Sequence, residues 1–193
     1  MDNYLRVSEI LSPFTGIEFV SDELLNPAAD RGTKVHECIE DRLNMKLTDS
    51  LIDQDCLPYL DSFDMFWHSS SHIFDGCKME LEKRFFDDNL QITGKVDAIF
   101  FKPGRTYLLD WKTSSRFQTH YYLQGAAYQH LARINGYNNV DEVLFVHLKK
   151  GKKPTTYKDS NPKKSLDLFL KCLELFRYFE MDTTRRKNGT SIK

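Results

Sequence analysis

The stretch that decides the fold is ITGKVDAIF at residues 92–100, then Pro103-Gly104, TYLLDWKTS at 106–114 and YYLQGAAY at 121–128. The first segment alternates between apolar and polar positions: Ile92, Val96, Ala98 and Phe100 share one parity, and Thr93, Lys95 and Asp97 share the other. Alternation with a period of two predicts a strand that is covered on one face. Asp97 should therefore project away from the packed face.

The second segment predicts a strand with the same period. Asp110 and Lys112 are two residues apart, so they should point to one side of the sheet while Trp111 points into the packing. Pro103-Gly104 between the segments predicts a tight turn and an antiparallel hairpin, which brings Asp97 near Asp110 and Lys112. Paired carboxylates bind hard divalent cations, and a nearby lysine can orient water or neutralise charge on a phosphate. The pattern therefore predicts a metal-dependent phosphodiesterase.

Hydrophobic periodicity predicts the remaining elements. We expect helices from Gly32 to about Leu47, Gln54 to Phe74, Tyr121 to Asn135 and Pro162 to Glu180, and further strands from Lys78 to Phe86 and Val140 to Leu148. The last of these strands is reached through a helix, as a crossover connection requires. The predicted order is helix, three antiparallel strands, helix, strand.

Composition limits the chain to ordinary globular classes. At 193 residues it fits one domain, which we place at 1–181, with a mobile basic tail at 182–193. The 27 basic and 28 acidic side chains nearly cancel, so no overall positive charge indicates a nucleic-acid partner. Any prediction that this protein acts on DNA must therefore rest on the site.

The cysteines and the chain start bear on the compartment. Cys38, Cys56, Cys77 and Cys172 include no C-x-x-C pair, and residues 1–4 do not begin a basic-then-apolar leader. No run of about 18 apolar residues predicts a membrane span. We expect reduced thiols and a cytoplasmic protein, with import into an organelle left open.

The ordered motifs resemble the PD-(D/E)XK nucleases, and within them the RecB-like branch that includes the mitochondrial genome maintenance exonucleases. The residues that carry the resemblance are Gly94-Lys95-Val96-Asp97, Asp110-Trp111-Lys112, Gln124 to Tyr128, and His36 at the end of Arg31-Gly32-Thr33-Lys34-Val35-His36. They span roughly Ser8 to Tyr128. The resemblance implies an α/β fold with a restriction-endonuclease-like αβββαβ core, in which helices flank a mixed central sheet.

The resemblance also implies roles for particular residues. His36, Asp97, Asp110 and the backbone carbonyl of Trp111 would bind Mg²⁺ or Mn²⁺, and Lys112 would act on the water or the phosphate. Glu82 stands where the family often has a glutamate, so it joins Asp97, Asp110 and Lys112 as a catalytic candidate. Gln124 and Tyr128 would brace the site or contact the nucleic-acid backbone. Relatives with an iron–sulfur cluster use one early and three late cysteines, whereas only Cys172 lies late here, so we expect no cluster.

Several of these residues have simpler interpretations. A lone histidine beside an apolar stripe is usually structural, paired glutamates usually form a solvated strand face, and Gln124 and Tyr128 could simply lie on a helix surface. The basic loop Lys149-Lys150-Gly151-Lys152-Lys153 could neutralise phosphates through Lys149 and Lys150, or it could be a solvated turn.

The function we expect is a metal-dependent DNA exonuclease that leaves 5′-phosphates and serves repair, recombination or replication, with single-stranded DNA or duplex ends as partner. Two alternatives remain open at this stage: a structure-selective endonuclease of the same fold, and a non-catalytic DNA-binding relative. A surface ion-pair network would explain three scattered charges, but it would not explain His36 and Gln124 as well.

Overall fold

A computed structural model describes residues 4–15, 22–46 and 52–187. The strands are β1 (Leu5–Arg6), β2 (Lys78–Asp87), β3 (Ile92–Lys102), β4 (Arg105–Lys112), β5 (Val140–Lys149) and β6 (Lys152–Lys158). The helices are α1 (Val7–Leu11), α2 (Asp22–Leu43), α3 (Leu57–Ser70), α4 (His120–Ile134) and α5 (Pro162–Lys187), with short 3₁₀ segments at Ser12–Phe14 and Ser71–Phe74.

The six strands found in the described residues form one mixed sheet. Strands β2, β3 and β4 are consecutive and antiparallel, β5 lies parallel to β4, and β6 returns antiparallel to β5. Lys102 pairs with Arg105 across the turn at Pro103-Gly104, where Gly104 has a φ of +79°. This arrangement confirms the predicted hairpin, the crossover through α4 and the mixed sheet flanked by helices.

Two strands share one edge of β3. Strand β2 occupies the other edge along its full length, from Ile92 to Phe101. On the shared edge, β1 pairs in parallel at Ile92 and Thr93, and β4 pairs from Ala98 to Lys102. Between them, residues 94–97 have no paired strand on that edge within the described part of the chain. The sheet therefore opens at Asp97.

Helices cover both faces of the sheet. On one face, α1, α4 and α5 contribute to a core that includes Val96, Ile99 and Leu108. On the other face, α2 and α3 pack over a core that includes Ala98 and Trp111. Both faces are thus buried, as is usual where parallel pairing brings helices onto a sheet.

The single parity predicted for β3 is wrong. Val96 belongs to one core, whereas Ala98 and Phe100 belong to the other, so the alternation changes face at Asp97. Asp97 is consequently buried rather than projecting from an uncovered face. The apolar residues change face at the point where β3 and β4 separate. A strict period of two along the sequence cannot predict such a change.

Several element boundaries also differ from those predicted. Helix α2 begins at Asp22, ten residues earlier than expected, and continues through Pro27 and Gly32. Helix α5 begins at Pro162 as predicted but extends to Lys187, beyond the expected end at Glu180. Helix α2 ends at Leu43, before the end expected near Leu47, a residue that itself falls outside the described part of the chain. The tail beyond Lys187 also falls outside it, and the mobility of residues 182–193 stays a prediction.

Four side chains assigned to apolar helix faces are more exposed than predicted: Leu57, Ile73, Ile134 and Phe179. Leu57, Ile73 and Ile134 stand at or near the ends of their helical segments, whereas Phe179 lies eight residues before the end of α5. Within the described residues, no helix is long and apolar enough to span a membrane.

Candidate active site

Asp97 lies where β3 and β4 diverge. Its Oδ2 accepts a hydrogen bond from the backbone N–H of Trp111 at 2.7 Å. This side-chain bond takes the place of a ladder bond beyond the last β3–β4 pair, Ala98 with Leu109. The Asp97 carboxylate thus lies in the gap between β3 and β4 and links the two strands there.

Helix α2 brings His36 to the second oxygen of Asp97. His36 Nδ1 lies 3.3 Å from Asp97 Oδ1. Burial lowers the pKa of His36, but the Asp97 carboxylate outweighs that effect and holds the pKa above its ordinary value. Burial likewise opposes the charge on Asp97, yet His36, Lys112 and the Trp111 N–H together keep its pKa below the ordinary value.

Glu82 approaches the same pair from β2. Its neighbours Leu81 and Lys83 pair with Ala98 and Val96, so Glu82 stands opposite position 97. Its φ of +51° is in the left-handed region, which is costly for a residue other than glycine and is concentrated at functional sites. Ligand atoms of His36, Glu82 and Asp97 all lie within 4.8 Å of one another.

That spacing fits a single divalent cation. Metal–ligand bonds of about 2.0–2.6 Å place neighbouring donor atoms at the separations found here. One imidazole nitrogen and two carboxylates form a mixed donor set that Mn²⁺ or Mg²⁺ accepts. The Glu82 carboxylate also contacts the ammonium of Lys95 on β3.

Asp110 and Lys112 belong to a second, adjoining set of contacts. Lys112 Nζ lies 2.5 Å from Asp110 Oδ2 and donates to Gln124 Oε1 at 2.8 Å. Gln124 Nε2 in turn donates to the Tyr128 hydroxyl at 2.8 Å. Helix α4 thus positions the lysine through two side chains that are four residues apart on one face.

Burial controls the ionisation of this second set. Desolvation raises the pKa of Asp110 to about 6, with Lys112 opposing the rise and Asp97 adding to it. Burial also raises the pKa of Tyr128 well above its ordinary value, so its hydroxyl stays neutral. Tyr128 can therefore accept the hydrogen bond from Gln124 throughout the physiological pH range.

The structure separates the remaining predicted residues from this cluster. Lys149 donates from Nζ to Thr155 Oγ1 at 2.7 Å, and Lys150 is exposed in the turn between β5 and β6. Lys112 pairs with His147 in the parallel β4–β5 ladder, so this basic turn extends beyond the same end of the sheet. The metal role of the Trp111 carbonyl stays a prediction, since the contact described for Trp111 is through its N–H.

Two residues that contact the site were missed in the sequence. Lys95 pairs with Glu82, although only its position inside the Gly94–Asp97 motif could have drawn attention to it. Tyr121 places its ring 4.4 Å from Lys112 Nζ, a cation–π contact. A tyrosine at the start of an amphipathic helix carries no sequence signal that distinguishes it from a core residue.

The sequence profile of the PD-(D/E)XK nuclease superfamily matches residues 63–181, well over half of the chain. The chain belongs to this superfamily. PD-(D/E)XK nucleases typically use divalent metals, which agrees with the donor set found here. His36 lies outside the matched residues, so its place in the site depends on its contact with Asp97. No curated protein matches the sequence.

Two of the solved structures that resemble this PD-(D/E)XK chain illustrate the likeness. One is a candidate exonuclease from Eubacterium rectale, at 14% identity and a TM-score of 0.55, with 99% of this chain and 84% of that chain covered. The other is SSO0001, at 14% identity and a TM-score of 0.50, with 91% of this chain and 77% of that chain covered. At such identities the likeness concerns the fold alone.

Proposed function

We propose that this nuclease is a metal-dependent DNA exonuclease of the RecB-like branch, related to the mitochondrial genome maintenance exonucleases. The observation that carries the proposal is the convergence of His36, Glu82 and Asp97 beside the Asp110–Lys112 pair. A surface ion-pair network does not account for it, because Asp97 and Asp110 are both buried and the charge of Asp97 raises the pKa of Asp110.

The cation would be Mg²⁺ or Mn²⁺. His36, Asp97, Asp110 and the Trp111 carbonyl are its proposed ligands, and the position of Glu82 supports adding this residue to the set. When bound, such a cation lowers the pKa of a coordinated water and polarises the scissile phosphate. The imidazole nitrogen favours manganese somewhat over magnesium.

Lys112 is the residue proposed to act on the reacting groups, with Asp97, Asp110 and Glu82 as its catalytic partners. Its ammonium would orient the attacking water or stabilise charge on the phosphorane oxygens. Only about an eighth of the Lys112 side chain is exposed (12%), so its charge is weakly screened. Gln124, itself held by Tyr128, fixes the direction of the ammonium.

The proposed substrate contacts lie on both sides of Lys112. Gln124 and Tyr128 brace the lysine from α4 and stand close enough to the site to reach the DNA backbone. Lys149 and Lys150 would attract phosphates at the end of β5, since lysines bind phosphates and release condensed counterions. Of these two, Lys150 is the exposed one, so it is better placed to contact DNA.

In-line attack by water with the 3′ oxygen as leaving group would leave 5′-phosphate and 3′-hydroxyl products, with DNA ends as substrate and repair, recombination or replication as the setting. We further propose that the protein works in a reducing, cytoplasmic environment without an iron–sulfur cluster. The four cysteines are all free thiols in the structure, which fits such an environment.

A Lys112→Ala variant tests the proposal. Calorimetric titration should show Mn²⁺ binding close to that of the wild type, while cleavage of end-labelled DNA falls at least about 100-fold, as for loss of one transition-state donor. Lys171→Ala, an exposed lysine on α5, is the matched control and should cleave normally. Full activity in Lys112→Ala would refute the assignment.

Substrate form separates exonuclease from endonuclease action. Linear DNA labelled at its 5′ or 3′ end should release short products from one end, and closed circular DNA of the same sequence should stay intact. Conversion of the circles to linear form would instead establish endonuclease action.

A further inference from the structure

A cavity adjoins Lys112 and takes no part in the proposed metal site. Its volume is about 360 Å³, and Lys112 and Gln124 line it together with residues from three other segments. These segments are α1 with the following 3₁₀ turn, the loop between β4 and α4, and the start of α4. None of His36, Glu82 and Asp97 lines it. We refer to this cavity as the α1–α4 pocket.

The chemistry of the α1–α4 pocket differs from that of the metal site. Among its ten lining residues in the described part of the chain, none is acidic and Lys112 supplies the one permanent positive charge. Hydroxyls and amides supply most of the polar groups, as at Ser12, Ser114 and Gln118. No carboxylate lines the pocket itself, although Asp110 Oδ2 lies 2.5 Å from the Lys112 ammonium. An anionic group therefore meets less negative charge here than at the metal site, which has at least two carboxylates.

An aromatic corner lies at the α4 end of the pocket. The His120 and Tyr121 rings meet edge to face, with centroids 4.5 Å apart. Burial, and next the nearby charge of Lys112, lower the pKa of His120, so its ring is a neutral donor and acceptor near neutral pH. Bases of single strands stack on aromatic rings of this kind, and such stacking tolerates any sequence.

We infer that the α1–α4 pocket binds one unpaired nucleotide of the cleaved strand, next to the phosphate that Lys112 contacts. The inference rests on the proposed nuclease function and adds the substrate form: a single strand at this position. The volume lies at the lower end of the range of roughly 300–1,000 Å³ for small-molecule sites, which suits one nucleotide and leaves no space for a base pair. Because α1 and the 3₁₀ turn form one wall, Ser8, Leu11, Ser12 and Thr15 contribute to substrate binding.

The experiment fills the pocket without changing Lys112. Ser12→Trp adds a large side chain at the lining, and Ser115→Trp, at an exposed serine that does not line the pocket, is the matched control. Calorimetric titration with unlabelled (dT)8 in EDTA measures binding in the absence of cleavage. We expect Ser12→Trp to bind at least tenfold more weakly than the wild type, and Ser115→Trp to bind normally.

A second variant keeps the inference testable if Ser12→Trp does not fold, which circular dichroism and thermal unfolding will show. Gln118→Ala/His120→Ala removes polar partners without adding volume and should weaken (dT)8 binding about 5- to 150-fold, as two lost hydrogen bonds predict. A blunt DNA hairpin should bind the wild type more weakly than (dT)8.

The outcomes separate the pocket from the nuclease function. Equal (dT)8 affinity in the wild type and both pocket variants, no binding by the wild type, or equal affinity for the hairpin would overturn the inference. A wild type that binds (dT)8 through the pocket, yet cuts no DNA with Mg²⁺ or Mn²⁺, would contradict the proposed function and leave the pocket assignment standing.

Discussion

A methyl group added at Gly94 should disturb the site through Tyr128. The Cβ of an alanine at position 94 would lie 2.8 Å from Tyr128 Cε1 and 2.9 Å from Leu131 Cδ1. Carbon atoms pack best at about 3.5–4.0 Å, so the Tyr128 ring must move by at least about 0.7 Å. The ring is buried and has little room to move, so we expect Gly94→Ala to lower the free energy of unfolding by about 1–3 kcal/mol.

The same displacement should reduce activity. The Tyr128 hydroxyl holds Gln124 at 2.8 Å, and Gln124 holds Lys112 at 2.8 Å. A shift of about 0.7 Å lengthens the first of these bonds to the limit of hydrogen bonding, so Gln124 loses its orientation. Loss of a hydrogen bond to a charged group is worth about 1.5–3 kcal/mol, and we expect DNA cleavage to fall roughly 10- to 100-fold.

Urea unfolding and a double-mutant cycle test this reasoning. Tyr128→Leu removes the ring that Gly94→Ala would strike, so the alanine should cost at least about 0.5 kcal/mol less in the Tyr128→Leu background. Gly32→Ala is the glycine control: its Cβ comes no nearer than 3.3 Å to Thr113 Oγ1, and a helical alanine should be neutral or stabilise by up to about 1 kcal/mol. An equal cost of Gly94→Ala in both backgrounds would refute the proposed contact.

Three further predictions concern stability and charge. Asp87 accepts two turn N–H groups and lies 2.8 Å from His130 Nε2. Despite burial, these contacts lower its pKa below 3.8, so Asp87→Asn should cost about 1–3 kcal/mol above pH 3.8, a difference that shrinks as the pH falls further. Phe74→Ala removes a ring stacked 4.4 Å from Phe100 and should cost about 3–5 kcal/mol in urea unfolding, with the far-UV spectrum retained. Neutralising Lys150 and Lys152 should reduce the salt slope of single-strand DNA affinity by about 1.4, and an unchanged slope would exclude both as phosphate contacts.

The sequence predicted those parts of the site that local periodicity determines. Asp110 and Lys112 are on one face of β4 because two residues make one strand repeat, and Gln124 and Tyr128 share a face of α4 because four residues make about one helical turn. These relations need no knowledge of the rest of the chain. They therefore follow from the sequence and agree with the structure.

The short and edge strands could not be predicted in this way. Strand β1 consists of Leu5 and Arg6, which are extended because an edge of β3 is available at Ile92 and Thr93. Strand β6, KKPTTYK, has three lysines and a proline and reads as a polar loop. Pro154 is tolerated because β6 ends the sheet, where an absent N–H can face solvent. Strand β1 therefore depends on a pairing partner that is distant in the sequence, whereas β6 depends on β5, the strand directly before it in the chain.

The position of Asp97 shows how pairing, rather than periodicity, makes the site. Strand β1 pairs with the first two residues of β3, and β4 pairs with β3 only from Ala98 onward, so the edge of β3 between them is unpaired in the described part of the chain. At this gap the apolar side chains of β3 switch from one core to the other. A hydrophobic side chain at position 97 would leave the Trp111 N–H buried without its partner, whereas the Asp97 carboxylate accepts it with one oxygen and turns the other toward His36. The same side chain thus closes the gap in the ladder and supplies a metal donor, so the sheet opening and the proposed site depend on a single residue.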